Sequence, residues 1–135
     1  GSANKKKPLE MTNGTDNAYR LAKKYNVKLA WGTDCLFDPT LAEKQGKQLS
    51  KMTRWFTHFE VLKMATYNNA QLLYLSGKRS PYQEGKLGEI SEGAYADLIL
   101  VEGNPLENLK LVEDPESNFK LIMKDGKIYK NTLEK

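Results

Sequence analysis

The chain has 135 residues, 39% of them hydrophobic, with 21 Lys plus Arg against 17 Asp plus Glu and a formal net charge of +4. That length suits one domain. Ten glycines, five prolines and one cysteine exclude a collagen-like repeat and a disulfide scaffold, and no apolar run approaches the ~18 residues of a membrane span.

Gly1-Ser2-Ala3 reads as a tag remnant, and the residues up to Thr15 are polar without a hydrophobic period, so 1–15 is expected to be a tail. From Asp16, an N-cap candidate, Ala18, Leu21, Ala22 and Tyr25 recur at helical spacing as far as Asn26. Val27 to Trp31 is a short apolar run closed by Gly32-Thr33-Asp34, the pattern of a buried strand ending in a polar turn. Cys35 to Gly46, with Pro39 inside it, reads as a loop, after which Leu49, Met52 and Phe56 resume helical spacing. Thr57-His58-Phe59-Glu60 matches a capping box, with Phe56 and Val61 at the two positions of a hydrophobic staple. A helix is therefore predicted to start at His58 and run through Leu62 and Ala65, with a break near Thr66, to Ala70, Leu73 and Tyr74. Gly77 is its expected C-cap.

Beyond Gly77 the pattern changes to short β-like runs. Lys86 to Ile90 reads as a weak strand, Ser91-Glu92-Gly93 as a turn, and Ala96 to Val101 as a strong strand ended by Gly103-Asn104-Pro105. Leu106 to Leu111 suggests a helical turn. Phe119 to Lys124 and Lys127 to Lys130 flank Asp125-Gly126, a dipeptide suited to the positive φ angles of a type I′ turn, so a hairpin is predicted.

Chemistry has few candidate carriers. A catalytic zinc takes three protein ligands and a water, and the chain holds one His and one Cys. His58 stands at a helix start and reads as a capping-region residue. Cys35 has no cationic neighbour in sequence and reads as a structural thiol. No G-x-S-x-G, Walker A or G-x-G-x-x-G motif occurs. The lysines are dispersed among acids without an interleaved aromatic stripe, which argues against nucleic acid. Asp34 is more specific, because it directly follows an apolar strand, where α/β barrels display functional side chains. Spacing alone leaves it open between that role and an ordinary turn former.

Three ordered blocks carry a resemblance. Val27-Lys28-Leu29-Ala30-Trp31-Gly32-Thr33-Asp34, then Thr57 through Ala70, then Gly88-Glu89-Ile90-Ser91-Glu92-Gly93-Ala94-Tyr95-Ala96-Asp97-Leu98 resemble the carboxyl-terminal third of the metal-dependent amidohydrolase superfamily. The last block looks like that family's G-x-I-x-x-G-x-x-A-D-L stretch, and the finer likeness is to its imidazolonepropionase and Xaa-Pro dipeptidase-like branch. The resemblance implies an α/β fold: the last βα unit of a (β/α)8 barrel over 16–77, then helices and strands of an incomplete small β-sandwich over 78–135. It further implies that Asp34 is the catalytic and metal-site carboxylate, that the cofactor is a divalent metal, zinc by expectation, and that the reaction cleaves a C–N bond in a small amide, cyclic amide or peptide.

The family's His-x-His pair, carboxylated lysine and two further histidines have no counterpart here, and a whole barrel needs about 250 residues. The expectation is a C-terminal portion of a hydrolase, inactive alone and without a tightly bound metal of its own. Its partners are expected to be the missing amino-terminal part of the same protein and other copies of itself, with no membrane. The alternative is a stand-alone, non-catalytic binding or scaffold module.

Overall fold

The computed structural model describes the backbone of residues 3–133 and the side chains of residues 13–133; Gly1 and Ser2 of the expected tag remnant lie outside them. The first helix, α1 (Ala3–Lys24), begins well before the predicted start. A stretch that is polar all round can still be helical when good helix formers such as Lys, Leu, Glu and Met supply the propensity. Asp16 is therefore interior to α1 rather than its cap. Its carboxylate reaches across to Arg54 Nη2 at 2.7 Å and Trp55 Nε1 at 2.6 Å. The far end of α1 closes on a Schellman motif: Asn26 is left-handed (φ 51), Asn26 N–H donates to Lys23 O and Val27 N–H to Ala22 O.

Val27 to Trp31 is not a strand among the described residues. A strand exists only through a neighbour's ladder, and here the contacts come from side-chain amides instead, described below. The expected loop from Cys35 to Gly46 holds a helical turn, α2 (Pro39–Ala42), whose N-cap Asp38 accepts from Leu41 N–H with Pro39 at the first helical position. Next comes α3 (Gln45–Ser50), continued as a 3₁₀ turn over Lys51–Arg54. Gly46 lies so close to the 3₁₀ turn Leu109–Glu113 that a Cβ would stand 1.8 Å from Val112 O.

The capping box forms as expected and starts α4 (His58–Lys63). The predicted break near Thr66 is a π turn, Met64–Asn68, after which α5 (Asn69–Tyr74) continues. Gly77 has φ 54 and opens a 3₁₀ turn just past that helix. The core gathers Leu49, Met52, Phe56, Val61, Met64, Leu109 and Val112, with Tyr19, Leu29 and Trp31 packed against it.

The carboxyl-terminal part is a three-stranded antiparallel sheet in the order β1 (Leu98–Val101), β2 (Phe119–Lys124), β3 (Lys127–Asn131), with a short helix α6 (Pro115–Asn118) before β2. Its hairpin turns at Asp125 (φ 48) and Gly126 (φ 73), the two positive angles a type I′ turn needs. Lys86 to Ile90 does not form a strand; one isolated bridge, Lys86 to Ala94, is all that pairs there. No residue of β1, β2 or β3 is fully buried. The chain exposes 10442 Å², whereas a compact monomer of 15.3 kDa exposes roughly 7,100 Å². No described helix is long and apolar enough to cross a membrane.

Candidate functional site

The segment from Val27 to Asp34 leaves the end of α1 and crosses the face of the α4–π–α5 helix. Leu29 and Trp31 turn their side chains to the core. Their backbone groups are met by two consecutive amides at the end of the π turn. Asn68 Nδ2 donates to Leu29 O at 2.6 Å, Asn69 Oδ1 accepts from Trp31 N–H at 2.9 Å, and Asn69 Nδ2 donates to Trp31 O at 3.0 Å. The contacted groups belong to alternate residues, the spacing at which a strand presents one edge.

Past this anchor the chain enters Gly32-Thr33-Asp34. Asp34 is left-handed (φ 51), a conformation that Asp tolerates better than most side chains. Its carbonyl accepts from Leu36 N–H at 2.9 Å, closing a tight turn. The carboxylate is exposed and has no hydrogen bond or ion pair to any described residue. No Asx-type bond from the side chain to a nearby N–H accompanies the turn. The backbone of Asp34 shapes the turn while its oxygens stay available.

The other two candidates are engaged elsewhere. His58 Nδ1 lies 3.0 Å from Leu106 O, which can only accept, so Nδ1 carries the proton. Cys35 Sγ accepts from Gln48 Nε2 at 3.0 Å and faces Thr33 O at 3.7 Å, a partly buried thiol serving the loop that follows Asp34. Among the described residues no group of three or more His, Cys, Asp or Glu side chains could hold a metal ion. A cleft of about 490 Å³ opens beside the end of α1, with Lys23, Lys28, Glu60 and Lys63 in its walls, and Asp34 is not part of it. The residues that sequence reasoning missed are Asn68 and Asn69. The only local sign of them is their place right after the helix break, because their partners lie 38 and 39 positions away.

Residues 5–130 match the amidohydrolase family. Ochratoxinase from Aspergillus niger is 33% identical over 114 residues, which is 84% of this chain but 22% of that protein. The crystal structure of A. niger ochratoxinase superposes with a TM-score of 0.71 at 28% identity, over 91% of this chain and 26% of its own. An amidohydrolase crystal structure gives a TM-score of 0.72 at 29% identity, over 88% of this chain and 26% of its own. A prolidase crystallised with N-methylphosphonate-L-proline gives 0.70 at 25%, over 86% and 26%. The chain thus spans about a quarter of the length of these relatives. On the match across nearly its whole length, this chain belongs to the amidohydrolase family.

Proposed function

We propose that the chain is the C-terminal portion of a metal-dependent hydrolase that cleaves the C–N bond of an amide or peptide, with Asp34 as its contribution to the active site. On this reading 16–77 closes a (β/α)8 barrel and 78–135 supplies strands to a small β-sandwich. The observation that carries the reading is the Asp34 carboxylate, exposed and unspent, at the end of a segment anchored on the core. The similarity to a prolidase and to ochratoxinase supports amide or peptide substrates and is compatible with the Xaa-Pro dipeptidase-like branch.

Members of this family generally use divalent metals. Asp34 fits such an ion as one ligand: it is an oxygen donor, open to solvent and free of competing partners. It cannot make a site by itself, and the remaining ligands would come from outside this chain. What a bound divalent ion supplies is a water acidified towards a pKa of about 7. With such an ion bound, the Asp34 carboxylate would be one of its oxygen ligands and, as a solvent-open base, would be able to hold a proton and release it to a leaving amine. Gly32, with open space around its Cβ position, lets the turn reach outward without a side chain in the way.

The test compares the isolated chain with the full-length protein on a panel of dipeptides and N-acyl amino acids, before and after chelation. The proposal expects hydrolysis by the full-length protein alone, abolished by chelator and restored by zinc. A full-length protein inert towards the whole panel, or indifferent to chelation, would overturn it, as would stoichiometric zinc retained by the purified chain.

A further inference from the structure

We infer that Asn69, with Asn68 beside it, is a positioning residue for the Asp34 carboxylate: its amide stands in for a neighbouring strand at Trp31 and so sets the point from which Gly32-Thr33-Asp34 departs. The inference rests on reading Asp34 as the functional carboxylate and adds the device that aims it.

The amide of Asn69 is used almost completely. Oδ1 accepts from Trp31 N–H, and Nδ2 donates both to Trp31 O and to Ala65 O in its own helix, the latter at 3.3 Å. A residue whose N–H and C=O are both satisfied by one partner is held as a ladder residue is held by its neighbouring strand. Among side chains of this size only an amide makes these two donations and one acceptance: a carboxylate cannot donate, a hydroxyl has a single proton and an alkyl group can do neither. Asn68 secures Leu29 two residues earlier through its carbonyl. Asn68 ends the π turn Met64–Asn68 and Asn69 opens α5, so both amides leave the helix where its register changes. The segment is thus pinned from Leu29 to Trp31, and Asp34 stands three residues beyond the last pin, within roughly 10 Å of chain. Play at Trp31 is passed on through Gly32, which has no side chain to pack and open space where a Cβ would stand, while Cys35 Sγ touches the turn from its far side at Thr33 O.

Residue-resolved amide hydrogen exchange and ¹⁵N relaxation on this chain test the clamp without any activity readout. In Asn69→Ala the Trp31 amide is expected to exchange about tenfold faster and Thr33 and Asp34 to become more mobile, while the Val61 and Leu109 amides in the core stay within about twofold. Asn69→Asp keeps an acceptor for Trp31 N–H and loses both donors, so it should hold Trp31 protection within about threefold yet still loosen Asp34; it also decides the matter if the alanine variant fails to fold. In the full-length protein Asn69→Ala should lower kcat about tenfold with KM changed less than about threefold. Unchanged Trp31 exchange in Asn69→Ala would overturn the inference, and so would a uniform loss of protection that includes Val61 and Leu109, the mark of ordinary packing. Loss of the clamp effect with Asp34→Asn still inactivating sinks only the role of Asn69. An intact clamp beside a fully active Asp34→Asn enzyme sinks the functional reading instead.

Discussion

Single side chains set the boundaries that matter here, and Glu60 is the clearest case. Thr57 N–H donates to its carboxylate at 2.7 Å, and that bond outweighs desolvation and, with lesser help from the Thr57 hydroxyl and from Lys23, holds the Glu60 pKa below the ordinary value of 4.5. A carboxylate whose folded pKa is depressed stabilises the fold above its unfolded pKa and loses that contribution as pH falls through the folded value. Stability measured by urea unfolding should therefore decline as pH drops below about 4.5, and Glu60→Gln should flatten that decline. Thr57→Ala, which removes the other half of the box, should cost about 1 kcal/mol at neutral pH. This pair was readable in sequence because a capping box is local, its two residues three apart. Asn69 was not, because an Asn inside a helical pattern looks like any other until the segment it holds is seen across the fold.

The same division separates the elements. The hairpin at Asp125-Gly126 and the helix start at His58 are dictated by a few adjacent residues and form where expected. The Val27 to Trp31 run has the composition of a strand, yet composition cannot supply a ladder partner: Val27 N–H closes the end of α1, and beyond it Leu29 and Trp31 are held by side-chain amides. The backbone of Lys28 and Ala30 makes no hydrogen bond to a described residue, which is where a further strand would add. The length of α1 escaped the sequence reading because that reading tracked hydrophobic period, while a solvated helix needs only propensity. Asp97 shows how one side chain ties separate elements: its Oδ1 accepts from Asp125 N–H at 2.7 Å, joining the residues before β1 to the turn between β2 and β3. Asp97→Ala should lower stability by about 1 kcal/mol, with the loss of hydrogen-exchange protection concentrated at the Asp125-Gly126 turn.

For the whole molecule the telling quantity is surface. The exposed 10442 Å² exceeds the roughly 7,100 Å² expected for the mass by about half. Ile99, Leu100 and Ile128 of the sheet are exposed, as are Leu36 and Phe37 in the loop after Asp34. Open sheet edges and uncovered apolar faces favour association. Multi-angle light scattering on the isolated chain should show oligomers whose proportion rises with concentration, and a double Ile99→Lys, Ile128→Lys variant should shift them towards monomer. A clean monomer at millimolar concentration would mean that the exposed faces need no cover. Family membership was legible from three ordered motifs, whereas which side chains stand exposed, Ile99 and Ile128 among them, needed the fold, since a sequence shows composition and not which faces are left open.

The account turns on the carboxylate at position 34, and kcat/KM for amide hydrolysis by the full-length protein carrying Asp34→Asn tests it most directly. The substitution keeps size and shape while replacing one acceptor oxygen by an NH2 donor and removing the charge, and since the side chain of Asp34 is exposed with no hydrogen bond to a described residue, the fold, checked by circular dichroism, should be unchanged. The account predicts a fall of about 10²- to 10⁴-fold; activity within about threefold of the unsubstituted enzyme would contradict it.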